Sequence, residues 1–179
     1  MLQNYNKWSV LKVFFNDPLP KGDGLQLREI SRKAELAPHS VKRYLNELEK
    51  EELIIKSKHR IHKYPLYSAN RDNEKFRFLK KIDTLISLEG SGLLEYLEDG
   101  CMPDAIILFG SASRGEDLRH SDIDLFLLCK ERNLDLQTYE KKFDKKISLL
   151  FSENFNTLSK ELRNNILNGS ILKGYLKVF

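Results

Sequence analysis

Two apolar runs in the second half of the chain constrain its fold most strongly. Residues 105–109 are all apolar, and residues 123–129 contain a single charged side chain, that of Asp124. Such short, nearly continuous apolar runs are typical of strands buried on both faces of a sheet. Gly110 and Ser111 interrupt the pattern after the first run, and Asp122 precedes the second. The pattern predicts two buried strands with polar residues at their junction.

The polar junction has the chemistry of a metal and phosphate site. Asp122 and Asp124 are two positions apart on one strand, so their carboxylates project from the same side with Cα atoms about 7 Å apart. Without a cation between them they would repel and raise each other's pKa, and Mg²⁺ prefers such oxygen ligands. Gly110 lets a phosphate approach the backbone, and the hydroxyl of Ser111 and the N–H groups of a helix beginning there hold its oxygens.

Arg114 and Arg119, in the interval between the two runs, add positive charge to this junction. Singly, each of these signals has an ordinary interpretation, because an Asp-x-Asp is commonly a turn or surface feature and a Gly-Ser pair is commonly a loop. Their combination in this order and spacing is much rarer. The polar junction is therefore the first candidate for a functional site.

The stretch from Leu108 to Leu125 resembles the signature of the nucleotidyltransferase superfamily related to DNA polymerase β, and especially its minimal nucleotidyltransferase branch. The resemblance covers residues 100–179. It implies a small mixed sheet with helices against it, and transfer of a nucleoside monophosphate from an NTP. It also implies that Gly110, Ser111 and Arg114 bind the nucleotide, and that Asp122 and Asp124 are the catalytic ligands of Mg²⁺ or Mn²⁺. The predicted continuation is a helix at 137–145, a strand at 146–151, a helix at 154–168 and a strand at 171–178.

The chain departs from the family's pattern at a third carboxylate, which active members usually carry on the following strand. Ser148 occupies the matching position and has no charge to anchor a second metal or accept a proton. Asp144 and Glu153 remain alternatives if the register is different. Two further hypotheses stay open. The domain is a degenerate nucleotide sensor or interaction module of a transcriptional regulator, or it belongs to a two-protein stress or toxin–antitoxin pair.

The positive charge of the chain belongs to its first part. Residues 1–70 carry 13 Lys and Arg against 8 Asp and Glu, an excess of +5, whereas residues 71–179 carry 17 against 18. Apolar spacing predicts a short helix from Trp8, stopped by the prolines at 18 and 20, a loop with Gly22 and Gly24, and then helices at 27–34 and after Pro38. Residues 53–55 and 64–67 predict two strands joined by a basic hairpin tip.

Three helices followed by a basic hairpin resemble the winged helix-turn-helix family of DNA-binding domains, over residues 1–70. The resemblance implies a double-stranded DNA partner, which the third helix and the hairpin contact. A solvated helix face, a protein-interaction role and a structural role are the alternatives. The acidic residues Glu47, Glu49, Glu51 and Glu52 lie at the far end of the third helix and are interpreted as a solvated face. The candidate DNA-binding residues are His39, Ser40, Lys42, Arg43, Asn46, Lys58 and Arg60.

The complete prediction is an α+β chain: a winged helix domain at 1–70, connecting helices at 71–99, and a small mixed-sheet nucleotidyltransferase-like domain at 100–179. The wide apolar stripe of the connector, from Phe76 to Leu97, predicts a link packed on both sides, with a homodimer contact as the alternative. No stretch has the length of a membrane span and the first residues lack the apolar run of a secretory signal, so we expect a cytoplasmic protein without a membrane partner. Cys101 and Cys129 are expected to be ordinary thiols.

Overall fold

The computed structural model describes residues 5–18 and 24–177. The chain forms two compact units, Met1–Lys80 and Lys81–Phe179. Some predictions concern positions outside the described residues. These positions are the first four residues, Pro20, Gly22 and the last residue of the predicted strand at 171–178. Within the described ranges, no helix combines the length and apolar character that a membrane span requires.

The first unit contains three helices, a two-stranded sheet and the beginning of a fourth helix. Its elements are α1 (Tyr5–Asn16), α2 (Leu27–Ala34), α3 (Pro38–Lys50), β1 (Ile54–Lys58) and β2 (Pro65–Ala69). Pro38 occupies the first turn of α3, where its missing N–H costs no hydrogen bond. Glu35 ends α2 in a left-handed conformation and donates its backbone N–H to Arg32. The predicted pair of helices around a very short turn is confirmed.

The core of the first unit is built from the apolar faces of its helices. Val10 and Phe14 of α1 pack with Ile30 of α2 and with Leu45 and Leu48 of α3, and all five side chains are fully buried. The i, i+3, i+4 and i+7 spacing places such side chains on one face of a helix, so packing three of these faces together removes them from water. The opposite face of α3 is left to its polar residues.

The second unit is built on a four-stranded mixed sheet. Its elements are the end of α4 (Glu74–Glu89), then α5 (Leu93–Cys101), β3 (Ala105–Phe109), β4 (Ile123–Leu128), α6 (Gln137–Phe143), β5 (Ile147–Ser152), α7 (Lys160–Leu167) and β6 (Ser170–Gly174). The strand order is β5-β4-β3-β6. Strand β3 pairs antiparallel with both β4 and β6, whereas β4 and β5 are parallel. This agrees with the expected mixed sheet of an α+β protein.

The two central strands of the sheet, β3 and β4, are buried on both faces, as the apolar runs predict. Ile106 and Leu108 of β3 belong to the apolar cluster that contains α5 side chains such as Leu97. Ile107, between them, belongs to the opposite cluster with Ile166 of α7. Because alternate side chains of a strand point to opposite faces, a strand covered on both sides is apolar at every position.

Two predictions about helices need correction. The predicted helix at 154–168 is in fact α7, which begins only at Lys160, because the Ser159 side chain accepts the N–H of Leu162 and caps the helix there. The expectation that α4 packs on both sides is wrong at Phe78 and Ile86, each 59% exposed. The predicted boundaries at 70 and 100 stay a prediction.

The connecting helices contribute side chains to the cores of both units. Phe76 and Leu79 of α4 are buried in the core of the first unit. Leu88 of α4 and Leu93 and Leu94 of α5 are buried in the core of the second. Each unit therefore includes part of the segment at 71–99.

Candidate functional site

The carboxylate of Asp124 lies directly against the backbone of Gly110. Strands β3 and β4 are antiparallel with Phe109 opposite Asp124, so the bend that follows β3 meets the beginning of β4. A Cβ built on Gly110 would overlap the Asp124 carboxylate, and Gly110 has a φ of +71°. Both facts favour glycine, which has no side chain and adopts positive φ without strain. The structure thus brings together the bend and one carboxylate of the predicted pair.

The two carboxylates interact electrostatically. Asp122 is exposed and Asp124 is half-buried, with the buried side chain of Ile123 between them in sequence. Burial, and after it the negative charge of Asp122, raise the pKa of Asp124 above its ordinary value. Among the described residues, none donates a hydrogen bond to the Asp124 carboxylate. Such a carboxylate is stabilised by any cation that reaches it.

The loop after Gly110 differs from the sequence prediction. Ser111 was expected to begin a helix whose N–H groups bind phosphate; the helix that follows is a single 3-10 turn at Ala112–Arg114, with Ser111 at its N-cap, and phosphate binding there stays a prediction. The turn is closed by local bonds, since the Ser113 hydroxyl donates to the Gly110 carbonyl at 2.8 Å and the Glu116 N–H donates to the Ser111 carbonyl at 3.0 Å. Ser111 itself is half-buried.

The two arginines of the loop form ion pairs near the surface. Arg114 donates from Nε to Glu116 at 2.7 Å, and Arg119 lies 3.5 Å from Asp144. About half of each arginine side chain is exposed, 49% for Arg114 and 55% for Arg119. Exposed pairs of this kind contribute little stability, so either guanidinium can exchange its partner for a phosphate at a small cost.

Ser148 lies beside Asp124, where the family resemblance implies a third carboxylate. In the parallel register of β4 and β5, Ser148 is the partner of Asp124, so the two side chains project from the same face of the sheet. Glu153 follows Ser152, which is the partner of Leu128 at the opposite end of β4, and this placement removes it from the site. Asp144 lies in the left-handed cap of α6, and its side chain is 80% exposed.

The described part of the chain contains no group of three His, Cys, Asp or Glu side chains placed to hold a metal ion. The possible metal ligands at this site are therefore the pair of Asp122 and Asp124, next to the hydroxyl of Ser148. A pair of carboxylates suits one Mg²⁺ ion, which is often held by one or two carboxylates and by the phosphates of its substrate.

Lys145 is a positioning residue that sequence reasoning missed. Its ammonium group forms an ion pair with Asp117 and donates to the Leu118 carbonyl at 2.8 Å. The side chains are 17% exposed for Lys145 and 5% for Asp117. These contacts hold the loop between β3 and β4 against the residues that precede β5. A lysine two positions before an apolar strand gave no sequence signal for this role.

The candidate DNA-binding residues of α3 lie on its outward side. His39, Lys42, Arg43 and Asn46 are exposed, and Ser40 is half-buried. The Arg43 guanidinium is not freely extended, because it lies 4.8 Å from the centre of the Tyr44 ring and donates to the Tyr44 hydroxyl at 2.8 Å.

The acidic end of α3 lies at the surface, as expected from the sequence, and it also forms an ion-pair cluster. Glu51 forms ion pairs with Lys7 and with Lys75, the second at 2.8 Å, and Lys7 also lies 3.3 Å from Glu47. Hydrogen bonds from Lys7 and then from Lys75 lower the pKa of Glu51. The cluster connects α1, α3 and α4 within the first unit.

The hairpin between β1 and β2 presents exposed basic side chains, including Lys58 and Arg60. Its tip is ordered by His59, whose ring nitrogen Nδ1 accepts the N–H groups of Ile61 at 3.3 Å and His62 at 3.1 Å. The rings of His59 and Tyr64 are stacked with centres 4.6 Å apart. A cavity of about 510 Å³ on this hairpin is lined by Lys56, Ser57, Lys58, Lys63 and Pro65.

Comparison with known proteins supports a nucleotidyltransferase domain in the second unit. Residues 92–174 match the family described as "Polymerase beta, Nucleotidyltransferase". The matched segment includes α5, the whole four-stranded sheet, and the residues of the Gly110 bend and the two aspartates. No curated protein and no solved structure matches the chain significantly.

Proposed function

We propose that the second unit is a metal-dependent nucleotidyltransferase, which transfers a nucleoside monophosphate from an NTP to an acceptor hydroxyl. The proposal depends on one observation, the environment of the Asp124 carboxylate. Its carboxylate lies against Gly110, its pKa is raised, and no residue in the described ranges donates a hydrogen bond to it. The family match over residues 92–174 supports a nucleoside triphosphate as the ligand that arrives with the cation.

Asp122 and Asp124 are the residues that would hold Mg²⁺ or Mn²⁺. The fit is chemical: both are hard oxygen ligands with negative charge, and the charge of Asp122 already raises the pKa of Asp124. A divalent ion held there would neutralise charge on the phosphates and on the leaving pyrophosphate.

The remaining residues of the site would orient the triphosphate. Gly110 has no side chain, so a phosphate oxygen can approach the backbone of the bend. Ser111 follows Gly110 directly, and its hydroxyl would donate a hydrogen bond to a phosphate oxygen. Arg114 would exchange its exposed partner Glu116 for a phosphate. Orientation and charge neutralisation are the main requirements of phosphoryl chemistry, so these groups suffice for binding.

The test is covalent labelling with NTPs labelled at the α-phosphate, in the presence of Mg²⁺ or Mn²⁺ and candidate acceptors. We expect transfer by the unmodified protein and loss of transfer in Asp122→Asn and Asp124→Asn. Glu153→Gln, which removes an exposed carboxylate at the far end of β5, is the matched control. Equal labelling by all four proteins would refute the assignment of the two aspartates.

A second candidate function is a nucleotide sensor without turnover, and the observation that favours it is Ser148. The Ser148 hydroxyl lies beside Asp124. In an active enzyme, a third carboxylate at this position would accept the proton of the acceptor substrate. This function predicts saturable NTP binding without label transfer. Ser148→Asp then separates the two functions, because a restored third carboxylate would produce transfer in a sensor and would add little to an already active enzyme.

For the first unit we propose binding of double-stranded DNA by α3 and the hairpin. The supporting observations are the exposed polar side of α3 and the exposed Lys58 and Arg60 of the hairpin. Side chains near the N-terminus of such a helix reach base edges, whereas hairpin lysines and arginines contact phosphates. Because Arg43 is held by Tyr44, we assign the larger contribution on α3 to Lys42.

DNA binding is tested by measuring duplex affinity as a function of salt concentration. Alanine at Lys42, Arg43, Lys58 and Arg60 together should weaken binding and lower the salt slope by about one unit for each lost phosphate contact. Lys50→Ala, at the other end of α3, is the control. An unchanged affinity and slope in the fourfold variant would reject this interface.

A further inference from the structure

The two cysteines of the chain lie side by side in the second unit, although the candidate site separates them in sequence. Cys101 ends α5, and Cys129 follows the last residue of β4. The Asp104 N–H donates to the Leu128 carbonyl at 3.0 Å, which fixes the segment after α5 against the end of β4. Cys129 packs against the apolar cluster that contains Cys101.

The thiols are near enough to influence each other. Both are free in this structure. Burial raises the pKa of Cys129 to about 11, and the neighbouring Cys101 thiol adds to that rise, both by its charge and as a hydrogen-bond partner. The hydrogen bond between Asp104 and Leu128 holds the two chain segments that carry the cysteines close together, and a disulfide requires such closeness.

We propose that Cys101 and Cys129 form a reversible intramolecular disulfide, which closes the segment at 101–129 around the candidate site. The bend at Gly110 and the two aspartates all lie within this segment. The proposal is independent of nucleotidyl transfer, since it needs only the positions of the two thiols.

The oxidant is a low-molecular-weight disulfide such as oxidised glutathione. Cys129 reacts first, because it is half-buried while Cys101 is only 9% exposed. Its thiolate attacks one sulfur of the reagent, forms a mixed disulfide and releases one thiol, which takes up the proton. The Cys101 thiolate then attacks the Cys129 sulfur and releases the second thiol. Two electrons pass from the two cysteines to the reagent, which leaves as two thiols.

The rate should depend strongly on pH. Well below its pKa of about 11, the thiolate fraction of Cys129 rises about tenfold for each pH unit. The first step should therefore be slow near neutral pH and accelerate in the same proportion as the thiolate. Once closed, the loop restricts the unfolded chain, so the midpoint of thermal unfolding should rise by about 4 °C or more.

The experiment treats the reduced, full-length protein with oxidised glutathione at two pH values and follows its mass and its alkylatable thiols. We expect a monomer that has lost two hydrogen atoms, has no alkylatable thiol and returns to the starting mass with dithiothreitol. The variant Cys101→Ser should stop at a stable glutathione adduct on Cys129, whereas Cys129→Ser should react far more slowly.

Three outcomes would overturn the proposal. They are two thiols that stay alkylatable in the folded protein, a disulfide between two chains, and a glutathione adduct that persists on the unmodified sequence. All three readouts need only the unmodified protein, so a variant that fails to fold leaves the test intact.

Discussion

Replacing Asp124 by asparagine should stabilise the second unit when no metal is present. The ionised carboxylate is half-buried, lies near the charge of Asp122 and has a raised pKa. If the charges are taken to be separated by the roughly 7 Å between Cα atoms two positions apart on a strand, they repel by about 0.6 kcal/mol in water and by about 2 kcal/mol at an effective dielectric constant of 20. Asparagine keeps the shape of the side chain against Gly110 and removes this repulsion. Because Asp122 is exposed, we expect a gain of about 1 kcal/mol.

The assay is thermal unfolding of the metal-free protein at neutral pH, where Asp124→Asn should raise the midpoint by roughly 4 °C. The folded-state pKa of Asp124 lies above its ordinary value of 3.8. The penalty is therefore complete above the raised pKa and disappears as the pH falls below 3.8, so the advantage of the variant should shrink in acid. Saturating Mg²⁺ should reverse the order, by stabilising the unmodified protein alone.

Glu153→Gln is the matched control, since it removes one exposed negative charge at the far end of β5. A midpoint for Asp124→Asn at or below that of this control, in the absence of metal, would refute the reasoning. It would mean that the Asp124 carboxylate is stabilised within the protein and does not require a cation.

Three further substitutions test the remaining elements. Gly110→Ala should lower the free energy of unfolding by about 1 to 3 kcal/mol, because the added Cβ would overlap Asp124 and the backbone φ is +71°. The same variant should abolish NTP binding in a filter assay, and retained binding would contradict the close contact. Lys145→Met should cost about 3 kcal/mol in urea unfolding, because it removes the largely buried ion pair between Lys145 and Asp117, and a cost below 1 kcal/mol would contradict that role. Glu51→Gln should cost about 0.5 to 1 kcal/mol at pH 7, and this cost should shrink as the pH falls below 4.5, because the lowered pKa of Glu51 supplies stability that is lost in acid. An equal cost at neutral and acidic pH would show that charge is not the cause.

The local pattern of the chain was sufficient to predict its two central buried strands, whereas Ser148 was identified only through the family resemblance, with Asp144 and Glu153 as alternatives. A strand covered on both faces is apolar at every position, and residues 105–109 carry that signal without help from distant residues. The alignment of Ser148 with Asp124 was decided by the parallel pairing of β4 and β5, which the sequence pattern alone does not fix.

Contacts between distant segments were decided only by the tertiary structure. The pairing of Lys145 with Asp117, the ion-pair cluster at Glu51 and the meeting of Cys101 with Cys129 each join residues far apart in sequence. Periodicity reports which face a side chain occupies, but it carries no information about which other element covers that face. That choice depends on how strands and helices of the whole unit pack, which is why a lysine or a cysteine with no local signal acquires its role only in the folded chain.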